Sequence, residues 1–164
     1  MILKALKYLS FVTGAFLLLS GAYLMYAYST LPAITGTEPS LSTDCSTVVF
    51  ASDRSGMPEF FEFSFLTRQV TPLTRDKTTK HYPVLSPDGK TVAYSRRVKG
   101  NWFVSVLDIE SGETTDLDQT HTINPIRPAW VGNGKLIFTT EASGERELVL
   151  FDLESRTRQQ INSV

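Results

Sequence analysis

The sequence predicts an all-β domain of three four-stranded antiparallel blades, an incomplete β-propeller, preceded by one transmembrane α-helix. Three observations carry that expectation: a 44-residue internal repeat, strand-and-turn chemistry inside each repeat, and an uncharged apolar run near the N-terminus. In the repeat, Leu41-Ser42-Thr43-Asp44-Cys45-Ser46-Thr47-Val48-Val49-Phe50 aligns with Leu85-Ser86-Pro87-Asp88-Gly89-Lys90-Thr91-Val92-Ala93-Tyr94. Gly56, Gly100 and Gly144 keep the same offset, as do Phe65, Ile109 and Leu153, and Leu73, Leu117 and Ile161. Tandem units of this length fold by burying each unit's apolar faces against its neighbours.

The first element is the anchor. No charged residue occurs from Tyr8 to Thr37, and Leu9 to Tyr28 are largely apolar. A helix of about 20 residues spans roughly 30 Å, enough to cross a bilayer once. Lys4 and Lys7 precede it, and positive flanks stay cytoplasmic, so residues 1–8 are expected in the cytoplasm. Residues 29–164 then lie on the opposite side of the cell membrane, with the C-terminal domain periplasmic or extracytoplasmic. Tyr23, Tyr26 and Tyr28 cluster at the far end, where amphipathic rings favour the interface. A cleaved signal peptide is the rival reading. Its apolar core is usually about 7 to 15 residues and ends in a small-x-small site. Ala27 and Ala33 do not complete such a site, since Met25 and Leu31 stand two positions earlier, which favours an uncleaved single-pass anchor. Asp44 before Cys45, far beyond the apolar core, argues against a lipoprotein. The linker, residues 29–37, holds Pro32 and Gly36 and reaches about 28 Å if extended at about 3.1 Å per residue.

Blades are expected over about 38–80, 81–125 and 126–164. In the second, strands fall at about 81–86, 91–95, 102–109 and 113–117. Ser86-Pro87-Asp88-Gly89 closes the first hairpin: Pro presets φ, Asp bonds the local backbone, and Gly accepts a left-handed conformation. Lys99-Gly100-Asn101 and Glu110-Ser111-Gly112 supply the next two turns, between runs rich in β-branched and aromatic residues. Cys45 stands where Gly89 and Gly134 close the same turn, and a non-Gly residue there costs about 1 kcal/mol if the conformation is left-handed. Asp53, Asp88, Asp108 and Asp152 recur at repeat positions and read as turn and strand-end hydrogen bonders. Trp102 and Trp130 read as blade packing.

Ser86-Pro87-Asp88-Gly89-Lys90 with Thr91-Val92-Ala93-Tyr94-Ser95, and Phe50-Ala51-Ser52-Asp53-Arg54-Ser55-Gly56-Met57-Pro58-Glu59, resemble the repeats of TolB-type β-propellers. Such repeats also occur in the propellers of prolyl-oligopeptidase-like enzymes. The resemblance covers about residues 38–164. In the third unit Val131-Gly132-Asn133-Gly134-Lys135 replaces the Ser-Pro-Asp-Gly-Lys turn. The resemblance implies a docking platform in the bacterial cell envelope.

Three blades fall short of the roughly four to eight that close a propeller. Two chains can complete a six-bladed ring as a homodimer, an open arc can dock on a partner, or the chain is a shortened relative of a longer protein. Glu62 stands where Val106 and Leu150 stand in the later copies, a charge suited to an exposed edge at one end of the array.

All 17 acidic residues and all but two of the 16 basic ones follow the anchor, and this net negative balance argues against nucleic acid as a partner. The lone Cys45 excludes an intrachain disulfide. No catalytic, cofactor or metal set emerges. His81 and His121 form no ligand pair, Ser52 and Ser86 lack a Gly-x-Ser-x-Gly setting, and no phosphate-binding glycine loop is present. The peptidase relatives catalyse with a separate hydrolase domain, for which no residues remain. The one candidate binding set is basic: Arg75, Lys77 and Lys80 between blades 1 and 2, and Arg96, Arg97 and Lys99 in a blade 2 hairpin. A meander sends both connections to one face, so the six cations suit an acidic protein surface or anionic lipid head groups. Solvated loop charge, partly neutralised by Asp76, is the plainer reading. The expected role is a non-catalytic interaction or assembly module, an accessory subunit of a membrane complex. A substrate-gating propeller working with a separate hydrolase is the alternative.

Overall fold

The computed structural model describes residues 36–120, 122, 124–142 and 145–161. The expected anchor, most of the linker, His121 and Gly144 lie outside the described residues. Among the described residues no helix is long and apolar enough to cross a membrane, and all regular structure is strand.

Twelve strands form three antiparallel meanders. The first sheet joins β1 (Thr37–Leu41), β2 (Thr47–Ser52), β3 (Glu59–Ser64) and β4 (Val70–Pro72). The second joins β5 (Lys80–Leu85), β6 (Thr91–Val98), β7 (Asn101–Asp108) and β8 (Thr114–Gln119). The third joins β9 (Ala129–Val131), β10 (Lys135–Ala142), β11 (Glu145–Asp152) and β12 (Thr157–Ile161). Sheet order follows chain order, so each sheet is one propeller blade.

Turn chemistry sets these boundaries. Ser86 Oγ donates to Asp88 Oδ1 (2.6 Å) and accepts from Thr91 N–H (3.0 Å), while Gly89 takes a φ of 72°. One repeat earlier Ser42 and Asp44 make the same bonds, and Cys45 takes the left-handed place with a φ of 57°. The third blade departs from expectation. Its left-handed residue is Gly132 (φ 64°) instead of Gly134, because the replaced turn places the tight bend two residues earlier.

Alternation along each strand sends one side of a blade to each neighbour. Val49, Ala51 and Phe60 of blade 1 pack with Leu85, Val92, Tyr94 and Leu107 of blade 2, and Leu73 and Ile109 close the edges. The Phe60 and Tyr94 rings meet edge to face at 5.0 Å. On the other side of blade 2, Ala93 and Val104 pack with Leu136, Phe138, Val149 and Phe151, flanked by Leu117, Trp130 and Leu153. Polar bonds pin both seams. Leu85 N–H donates to Ser40 Oγ (3.0 Å), Thr43 Oγ1 to the Pro87 carbonyl (3.0 Å), and Trp130 Nε1 to the Val84 carbonyl (2.9 Å).

Glu62 does not occupy the free edge. It pairs with Val49 and so shares the side of blade 1 that faces blade 2, where it lines a groove with Thr43, Pro87 and Asp88. The run Phe60-Phe61-Glu62-Phe63 is apolar on both sides of the pleat, which hides from sequence the side on which the charge falls.

Candidate functional site

The meander topology divides the turns between two faces. One carries the β2–β3 and β6–β7 hairpins and the β4–β5 connection. Arg97 N–H donates to the Thr79 carbonyl (2.8 Å) and Lys80 pairs with Arg96 across β5 and β6, which brings the connection against the second hairpin. Arg75, Lys77, Arg97 and Lys99 are exposed there. Arg97 also donates from Nε to the Gly100 carbonyl (3.1 Å) and lies 5.9 Å from the Trp102 ring centroid. The chain enters blade 1 on this same face, since Thr37 pairs with Ala51 beside the β2–β3 hairpin.

Lys80 and Arg96 take a different place. Lys80 is fully buried, with Nζ 2.7 Å from Glu59 Oε2 and 2.5 Å from Asp76 Oδ1. Thr74 Oγ1 and the Lys77 N–H donate to the same Glu59 carboxylate. Arg96, largely covered, extends the array to Asp76 (3.7 Å) and Asp116 (3.1 Å). Burial raises the Asp76 pKa, but bonds from Lys80 and Thr78 outweigh it and hold the group below the ordinary carboxylate range. These two cations are therefore a clasp between blades 1 and 2, and the surface charge rests on the other four.

Beside them, Arg54, Met57, Phe61, Pro72, Arg75 and Lys77 line a cavity of about 380 Å³ on blade 1. The Arg54 guanidinium stacks 4.6 Å from the Phe61 centroid and 5.3 Å from that of Phe50.

Sequence reasoning missed a second cluster on the first strands of blades 1 and 2. Glu38 accepts from Tyr82 N–H (2.7 Å) through Oε2, and its Oε1 lies 3.1 Å from His81 Nδ1. Arg127 sits 5.3 Å from the Tyr82 ring centroid. Glu38 and Tyr82, one repeat apart, both have a φ of 56°, at matching irregularities in strand register. The repeat offset was the available signal. His81 is thus bound to a carboxylate of the neighbouring blade, and no group of metal-ligating side chains exists among the described residues.

The opposite face is built of turns that carry Asp44, Asp88, Asp108 and Asp152 beside the exposed Arg68, Lys90 and Arg156. Asp44 is lowered from 3.8 to about 2 by Ser42 first, then by bonds from Ser46. Asp88 is lowered chiefly by Ser86, Asp108 by Ser111 and Asp152 by Ser155. Each carboxylate is consumed in closing its own turn. Ser86 serves the same turn, and Ser52 Oγ accepts from Arg54.

The sequence matches the TolB beta propeller domain over residues 28–164. The chain belongs to the TolB β-propeller family. It is 30% identical over 118 residues to a Protein TolB homolog of Chlorobium chlorochromatii, covering 72% of this chain and 26% of that protein. TolB from Acinetobacter baumannii superposes with a TM-score of 0.68 at 25% identity, over 79% of this chain and 33% of that one. The β-propeller domain of the Trilobed protease from Pyrococcus furiosus shares the fold, with a TM-score of 0.57 at 16% identity over 77% and 42% of the two chains. This TolB-family chain thus spans about a quarter of the length of its curated relative.

Proposed function

We propose that the chain is a membrane-anchored, non-catalytic propeller module that docks an acidic protein surface on the face bearing Arg75, Lys77, Arg97 and Lys99, as an accessory subunit of a cell-envelope complex. The carrying observation is the gathering of four exposed cations from two adjacent loops, where the Arg97 N–H to Thr79 carbonyl bond holds the β4–β5 connection against the β6–β7 hairpin. A local cluster of one sign orients and accelerates encounter with an acidic partner. The anchor reading draws its support from the uncharged run from Tyr8 to Thr37 behind Lys4 and Lys7. The extracytoplasmic placement rests on the same flanks and on the TolB resemblance.

The test places a photo-cross-linking residue at Lys99 or, on the opposite face, at Lys90, in the full chain within its native membranes. A protein adduct from position 99 alone, weakened about tenfold or more when Arg97 and Lys99 are both changed to Glu, is the expected result. Equal adducts from both faces, or insensitivity to the charge reversal, would sink the docking face. The anchor is checked separately by the mass of the mature N-terminus. A start near residue 28 or later contradicts it.

A second reading is favoured by the likeness to a protease's propeller domain. In it the chain gates substrate for a separately encoded hydrolase, and the position-99 adduct is then an active peptidase.

A further inference from the structure

The exposed apolar side chains on the two outer sheet faces are not scattered. They are the repeat counterparts of residues that are covered at the blade seams inside the chain. On blade 1, Leu41 is 52% exposed, whereas Leu85, one repeat later, is 6% exposed within the seam between blades 1 and 2. Phe65 is 51% exposed, whereas its counterparts Ile109 and Leu153 each pack against a seam. On blade 3 the pattern runs the other way along the chain. Leu148 is 39% exposed, whereas Phe60 and Val104 at the same repeat position are fully buried. Ile161 is 39% exposed, whereas Leu73 and Leu117 are each packed into a seam.

The two outer faces also differ in kind, as the two sides of an internal seam do. The outer side of blade 1 presents Leu41, Val48, Phe63 and Phe65, with Phe50 and Phe61 already under the Arg54 guanidinium. It corresponds to the side of blade 2 that carries Leu85, Tyr94 and Leu107, which packs on the blade before it. The outer side of blade 3 presents Ile137, Leu148, Leu150 and Ile161. It corresponds to the side of blade 2 that carries Ala93 and Val104, which packs on the blade after it. The described three-blade arc therefore presents the two unlike halves of one seam on its outer faces, and it contains two worked copies of that seam.

We infer that blade 3 of one copy packs on blade 1 of a second copy and the reverse, closing a six-bladed ring of two chains. Unlike halves associate head to tail, and such contacts close into rings when the rotation permits. Two three-blade arcs give six blades, within the roughly four to eight that close a ring. Once one seam forms, the second is intramolecular, so the ring holds far more tightly than either seam alone. The ring axis sends the entry strand of both copies to the same face. The inference deepens the interaction-module reading by naming a second copy as the occupant of the end faces. It does not depend on the cationic face.

The experiment is the protein mass of the purified full chain in detergent, by light scattering with the detergent contribution subtracted, over a range of concentrations. Wild type is expected at two chains. Phe65→Glu and Leu148→Glu alter exposed positions, so circular dichroism is expected unchanged. Each variant alone breaks both seams and should raise the dissociation constant by about a hundredfold or more. An equimolar mixture of the two variants retains one intact seam and should form dimers where neither does alone. A wild type that stays monomeric or assembles into open-ended ladders overturns the inference. So does a dimer indifferent to both substitutions, or a mixture no better than its components. Because no docking partner is present, failure here is separate from failure of the cationic face.

Discussion

The strongest local devices in this chain are single residues that close turns. Asp44, Asp88, Asp108 and Asp152 titrate lower in the folded chain than in the unfolded one, because each accepts hydrogen bonds only when its turn is formed. Their contribution is therefore complete above the ordinary value of 3.8 and is lost as the pH falls toward about 2, where Asp44 titrates. The urea midpoint is expected to decline over that window, and Asp88→Asn should make the decline shallower. A midpoint flat from neutral pH to about 2 would contradict this account. Left-handed positions give a second residue-scale prediction. Gly89 has a φ of 72° and open space about it, so Gly89→Ala meets only backbone strain and should cost about 1 kcal/mol. Cys45 carries that strain already at a φ of 57°. Cys45→Gly should therefore be neutral or stabilising by up to about 1 kcal/mol in the same urea titration, whereas most turn substitutions destabilise.

At the scale of elements, a buried clasp joins β3, the β4–β5 connection and β5. Lys80 is fully buried and Glu59 nearly so, with Thr74 and the Lys77 amide completing the carboxylate's bonds. Removing one charge strands the other away from water, which typically costs about 3–5 kcal/mol. Lys80→Ala should lose about that much, measured by urea unfolding followed through Trp102 and Trp130. Lys77→Ala, which keeps the backbone donor, should lose less than about 1 kcal/mol. This contrast also marks the limit of what sequence could tell. Strand number, turn places and blade order were legible because the 44-residue repeat and the Ser-Pro-Asp-Gly turn are local signals. Lys80 was not, since Glu59 lies 21 residues away, and a lysine flanked by loop residues looks solvated until blade 1 is placed beside blade 2. The side taken by Glu62 and the left-handed shift to Gly132 were hidden for related reasons. An apolar run on both sides of a pleat erases its phase, and a degenerate turn has no register of its own.

At the scale of the molecule, the array behaves as a stack in which each blade is stabilised by its neighbours, so one repeat position has three different energetic meanings. Phe60, Val104 and Leu148 are 44 residues apart and point to the same side of their blades, yet only the first two have a blade to meet. Truncation to Ala should cost about 3–5 kcal/mol at Phe60 and somewhat less at the smaller Val104. At Leu148, which is 39% exposed, dilute chain should lose less than about 1 kcal/mol. The decisive measurement is the dependence of that last cost on protein concentration. If a second copy covers blade 3, Leu148→Ala becomes more costly as concentration rises and dimers form, because stability is then linked to association. The costs at Phe60 and Val104, whose seams are internal, stay constant. A Leu148 cost that ignores concentration would overturn the two-chain ring.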